Sequence, residues 1–139
     1  MIHIVDYGAG NLFSVKNALD YLQIENKITA DPADLKEADG IILPGVGAFR
    51  DAMTMLNKSG FTEAIKEQTA AGKPLLGICL GMQMLFDSSE ESPGAAGLGL
   101  LPGKILRIPD AEGLKVPHMG WNSLKINPAS RLFAGCESE

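Results

Sequence analysis

Lys73-Pro74-Leu75-Leu76-Gly77-Ile78-Cys79-Leu80-Gly81-Met82-Gln83 is a short apolar run that begins at a proline and ends in a glycine-flanked cysteine. A run of this length, too short for a buried helix, reads as a buried strand. Gly77-Ile78-Cys79-Leu80-Gly81 has the Gly-x-nucleophile-x-Gly form of a sharp strand-to-helix turn. Cys79 then stands at the tip of that turn as a candidate nucleophile, with the N-terminal end of the next helix facing its sulfur and favouring the thiolate. The alternative is a small buried hydrophobe, the commoner fate of a lone cysteine. Glycines two residues either side are wasteful in a plain strand and helix, so they argue for the turn.

Working outward, the chain reads as alternating strands and helices. Ile2 to Asp6 is an apolar run that enters Asp6-Tyr7-Gly8-Ala9-Gly10, after which Asn11 can cap a helix bearing Leu12, Val15, Leu19 and Leu22 on one face. Gly8-Ala9-Gly10 lacks the third glycine of a dinucleotide fingerprint and reads as a tight turn. Asn26 to Ala30 is a second strand, and Asp31-Pro32 opens a short helix. Gly40 to Leu43 is a third strand running into Pro44-Gly45-Val46-Gly47, at the end of the sheet where such folds place ligands. Helices are predicted over about Phe49 to Asn57 and Thr62 to Ala71, the latter stopped by Gly72.

This alternation predicts an α/β fold: a doubly wound, mostly parallel sheet with helices on both faces, the Cys79 strand being central. Beyond Phe86 the pattern changes. Asp87 to Ser92 reads as a solvated acidic loop, followed by a glycine-rich connection. Lys104 to Ile108 and Ser123 to Ile126 read as strands of an antiparallel edge extension near residues 104–126, and Ser130 to Phe133 as one helical turn.

The 139 residues are the size of one domain, and 45% hydrophobic composition suffices for a core. A net charge of −5 with no Lys/Arg run argues against nucleic acid as a partner. Cys79 and Cys136 make no disulfide framework, and neither stands at metal-ligand spacing from a histidine, so no metal or cofactor is expected. No apolar run approaches the roughly 18 residues of a membrane span, and the N-terminus opens directly into a strand, which points to the cytoplasm.

Pro44-Gly45-Val46-Gly47 and Gly77 to Gln83 together resemble the class I glutamine amidotransferase family. Asp6 to Leu12 and Val116-Pro117-His118-Met119-Gly120-Trp121-Asn122 narrow the resemblance to the glutaminase subunits of imidazole glycerol phosphate synthases, which implies that Met1 to Glu139 is a single, C-terminally incomplete domain of that family. The resemblance implies that Cys79 attacks the carboxamide of L-glutamine, releasing ammonia and leaving a γ-glutamyl thioester that water hydrolyses. It implies an oxyanion hole from the Leu80 N–H and the Val46 and Gly47 backbone, in a loop that reorients when the synthase partner is loaded. Gly45 and Gln83 are the implied glutamine-binding positions.

Asn11, His118, Met119, Trp121 and Asn122 are the implied contacts with a cyclase (β/α) barrel subunit, which uses the ammonia in histidine biosynthesis. For Asn11 the alternative is helix capping, and for Trp121 a core anchor. The class carries its base, a histidine followed by Pro-Glu, downstream of the residues present. His3 and His118 are the only histidines, and neither is assigned as base. Little or no glutaminase activity is therefore expected of these 139 residues alone. Two rival readings are a non-catalytic docking or regulatory module, and a cysteine-elbow hydrolase or redox protein.

Overall fold

The computed structural model describes residues 1–113 and 115–135. They fall into two compact units, Met1–Arg107 and the segment from Ile108 onward. Cys136 lies outside the described residues.

In the first unit, four parallel strands form one sheet: β1 (Ile2–Val5), β2 (Asn26–Thr29), β3 (Gly40–Gly45) and β4 (Leu75–Cys79), in the order β2-β1-β3-β4. Helix α1 (Leu12–Tyr21) connects β1 to β2. A 3₁₀ turn (Pro32–Lys36) precedes β3, and helices α2 (Phe49–Lys58) and α3 (Phe61–Ala70) connect β3 to β4. The β1-to-β2 and β3-to-β4 connections run in opposite directions along the sheet. Right-handed crossovers therefore put α1 on one face and α2 and α3 on the other, the doubly wound arrangement expected from the sequence.

Local chemistry sets the element ends. Asn11 caps α1 by accepting from the Ser14 N–H at 3.2 Å, and Asp31 caps the 3₁₀ turn through the Ala33 N–H at 2.9 Å. The α2–α3 face holds the core: Val5 of β1 and Tyr7 just beyond it, Ile41 and Leu43 of β3, Leu35 of the 3₁₀ turn, and Phe49, Met53, Leu56, Phe61 and Ile65 of the two helices. On the α1 face Ile4 and Ile42 are buried, whereas Leu76 and Ile78 of β4 are exposed.

Several sequence expectations are corrected. Among the described residues the Cys79 strand is an edge strand, not a central one, the chain leaving β4 for a separate sheet instead of returning beside it. That second sheet pairs β5 (Phe86–Ser89) with β6 (Leu101–Ile105) in parallel, so the expected antiparallel extension over residues 104–126 is absent among the described residues. Ser123 to Ile126 form no strand, and residues 131–135 make turns in place of a helical turn. The acidic segment is more than a solvated loop: Asp87, Glu90 and Glu91 are exposed, but Ser89 and Ser92 are buried, and Glu91 and Ser92 accept from the Phe49 and Arg50 N–H groups at 3.2 and 3.3 Å. Ala48 offers α2 no side-chain cap, so these two residues from a distant loop satisfy its first turn, with the carboxylate at the favourable end of the helix dipole.

His3 sits fully buried in β1, with neither ring nitrogen hydrogen-bonded among the described residues. Burial, reinforced by the Lys27 and Lys73 ammoniums and the chain's N-terminal charge and opposed by the Asp34 carboxylate, holds its pKa below the usual histidine value. The unfolded chain therefore binds a proton that the folded chain refuses. Stability is full above about pH 6.5 and declines as pH falls below it, by up to about 1.4 kcal/mol per pH unit. The difference in urea midpoint between wild type and His3→Leu should narrow, or reverse in favour of the variant, on acidification through this range. A difference independent of pH would contradict the assignment.

Candidate active site

Cys79 ends β4 and is exposed. Its backbone lies at φ 56°, ψ −119°, a left-handed conformation that a residue with a Cβ adopts only under constraint, at about 1–3 kcal/mol. The flanking glycines show where the constraint comes from. A Cβ on Gly81 would lie 1.9 Å from the Leu43 carbonyl oxygen, and one on Gly77 would lie 2.5 Å from the Met82 Cα. The turn is thus wedged against β3 on one side and against its own next residues on the other. A strained strand-to-helix elbow of this kind is suited to presenting a nucleophile above a parallel sheet.

The chain after the elbow differs from expectation in length. Helix α4 (Leu80–Gln83) is a single turn, so Cys79 precedes one turn of N–H groups and not the end of a long helix dipole.

The second wall of the site is the turn leaving β3. Gly45 is in register with Cys79, and a Cβ on Gly45 would meet the Gly81 N at 2.6 Å and the Leu80 carbonyl carbon at 3.0 Å. The Gly45 backbone and the Leu80–Gly81 backbone therefore lie side by side at the end of β4. Val46 is exposed, and Gly47 takes φ 90° with nothing within 4 Å of its Cβ position. Gln83 closes α4 and is half-buried. Cys79, Leu80 and Gly45 are brought together, with Val46, Gly47 and Gln83 following directly from them in the chain.

Asn11 serves α1 as its cap, while its neighbour Gly10 packs on the Pro44 ring, 3.1 Å from Cβ to Cβ position. His118, Met119, Trp121 and Asn122 lie in the second unit. There Trp121 is fully exposed, Met119 is exposed, and the Asn122 Nδ2 stands 2.7 Å from His118 Nε2.

Sequence alone singles out the Asp6 to Leu12 stretch, which contains Tyr7, but gives Tyr7 no role of its own. Tyr7 is buried beneath the second wall, and its hydroxyl donates to the Pro44 carbonyl at 3.1 Å. A tyrosine in an otherwise glycine-rich turn was the only signal available. A groove of about 410 Å³ lined by Lys66, Thr69, Lys73, Leu75, Leu85 and Leu101 does not include Cys79. Among the described residues no cluster of three or more metal-ligating side chains occurs, and no helix is long and apolar enough to cross a membrane.

Comparison with known proteins agrees with this geometry. Residues 2–108 match the family model of the CobB/CobQ-like glutamine amidotransferase domain. The chain is 58% identical over 134 residues to the imidazole glycerol phosphate synthase subunit HisH of Lacticaseibacillus casei (strain BL23), an alignment covering 96% of this chain and 64% of that relative. It is 47% identical over 139 residues to the subunit of the same name from Listeria monocytogenes serotype 4a (strain HCC23), covering 100% of this chain and 67% of the relative. The chain thus spans about two thirds of the length of the curated relatives it matches.

A crystal structure of a glutamine amidotransferase superposes with a TM-score of 0.68 at 25% identity, covering 84% of this chain and 60% of that one. A putative peptidase E from Listeria monocytogenes EGD-e, at 17% identity and a TM-score of 0.59 over 72% of this chain and 62% of that one, shares the fold. A strained, glycine-wedged cysteine beside a glycine turn, on a sheet matched by these relatives, places the chain in the glutamine amidotransferase family.

Proposed function

We propose that this chain carries the glutamine-hydrolysing centre of an imidazole glycerol phosphate synthase. The observation that carries this is the Cys79 backbone at φ 56°, which holds an exposed thiol at the apex of an elbow. The Cys79 thiolate attacks the side-chain carboxamide carbon of L-glutamine and forms a C–S bond. The negative charge moves to the carboxamide oxygen, where the Leu80 N–H and the Val46 and Gly47 backbone stabilise it. Each well-aligned donor contributes about 3–4 kcal/mol to such a step. Collapse of the intermediate breaks the C–N bond, the nitrogen leaves as ammonia after gaining a proton, and water then hydrolyses the γ-glutamyl thioester to glutamate and free thiol. Gly45 and Gln83 hold the substrate. In the class a histidine followed by Pro-Glu takes the thiol proton and donates it to the leaving nitrogen; neither His3 nor His118 is assigned that role.

Ammonia passes to a cyclase barrel subunit, with Asn11, His118, Met119, Trp121 and Asn122 as contacts. Full exposure of Trp121 supports this, because a large aromatic left in water gains most when a partner covers it. Titrating a chain extended to the relatives' full length with the barrel subunit should raise glutamate production to a plateau. Trp121→Ala should move the midpoint at least about tenfold, a loss of about 1.4 kcal/mol. No glutamate formation would reject the glutaminase reading, and a midpoint unchanged by Trp121→Ala would reject the interface.

A further inference from the structure

We propose that Tyr7 is a positioning residue of this centre: by donating its hydroxyl to the Pro44 carbonyl it fixes the peptide plane from which the Gly45-Val46-Gly47 turn departs. The inference rests on the glutaminase reading above and assigns the turn its anchor.

The turn is held at one end only. On the β3 side Gly45 is buried against the Leu80–Gly81 backbone. On the other side Val46 is exposed and Gly47 meets nothing within 4 Å. Orientation of the Val46 and Gly47 N–H groups is therefore inherited from the peptide between Pro44 and Gly45. The Pro44 carbonyl is part of that rigid plane, and the Tyr7 hydroxyl reaches it at 3.1 Å.

The same hydroxyl lies 3.8 Å from the Met84 sulfur, and Met84 is the fully buried residue that ends α4. One phenol thus touches both the strand end that bears the proposed oxyanion donors and the turn that follows the nucleophile. Burial pushes the Tyr7 pKa up to about 12, so the hydroxyl keeps its proton, and with it its donor role, across the working pH range.

Tyr7→Phe keeps the ring in the core and removes only the oxygen. In the extended chain with its barrel subunit, kcat for glutamine should fall about tenfold, part of the 10²–10³ lost when such a donor is removed outright, with KM within about twofold. Alkylation of Cys79 by iodoacetamide, which needs only an accessible thiol, should be unchanged, whereas alkylation by a glutamine-derived chloroketone should slow in step with kcat. A merely structural role would leave kcat of the folded protein and the ratio of the two labelling rates as in wild type, and that result would overturn the proposal.

If Tyr7→Phe does not fold, an isosteric, more acidic fluorotyrosine at position 7 replaces it. Loss of its proton at raised pH should lower kcat where wild type stays flat, and an equally flat profile would overturn the proposal. Failure of wild type itself to hydrolyse glutamine or to label at Cys79 would instead reject the glutaminase reading, and this inference with it.

Discussion

Gly81→Ala is expected to destabilise the protein by at least about 3 kcal/mol, at the upper end of what overpacking costs. The added methyl would sit 1.9 Å from the Leu43 carbonyl oxygen and 2.8 Å from the Leu43 carbonyl carbon. Both are backbone atoms of the buried strand β3, which cannot rotate away as the end of a side chain would. Relief requires pushing the elbow off the sheet, so the variant should also lose selective labelling of Cys79 by glutamine-like electrophiles. Gly120→Ala is the control: nothing lies within 4 Å of its Cβ position, and its change should stay within about 0.5 kcal/mol. Urea denaturation of the two variants checks this. A Gly81→Ala protein within about 1 kcal/mol of wild type would show that the elbow is not wedged.

Cys79 itself should separate activity from stability. Cys79→Ala keeps the strained backbone and removes the sulfur, so glutamine hydrolysis in the extended chain should fall by at least about 10³-fold, as for loss of a covalent nucleophile. Cys79→Gly should be equally inactive yet more stable than Cys79→Ala, by about 1 kcal/mol or more, because glycine adopts φ 56° without penalty. A nucleophile held in strain predicts this pairing of lost turnover with gained stability. A merely buried structural cysteine predicts the reverse, since truncation would then open a cavity. Thermal or urea denaturation beside a glutamate assay measures both.

The elbow was legible because its demands show in the residue types beside Cys79, even where the constraint comes from a distant strand. Two glycines spaced around Cys79 have meaning only if a backbone must pass close by, and the Gly81–Leu43 and Gly77–Met82 contacts supply that reason. The order of strands and helices through α3 was legible from periodicity and from punctuation such as Asp31-Pro32 and Gly72, which has φ 89°.

What sequence could not show depends on distant partners. Leu75 to Ile78 is apolar on both faces and reads as a central strand, yet in the structure it is an edge whose Leu76 and Ile78 are exposed. The short polar run Asp87 to Ser92 looks like a loop until Glu91 and Ser92 are seen capping α2 from 42 residues away. Tyr7 was given no role for the same reason: its role lies in a hydrogen bond to Pro44, 37 residues on.

The most direct test of the central claim is to react the extended chain with a glutamine-derived chloroketone, with and without excess glutamine, and to map the adduct by peptide mass spectrometry. A single adduct on Cys79, suppressed by glutamine, is the predicted result. Labelling at another residue, or labelling of Cys79 that glutamine does not slow, would contradict it.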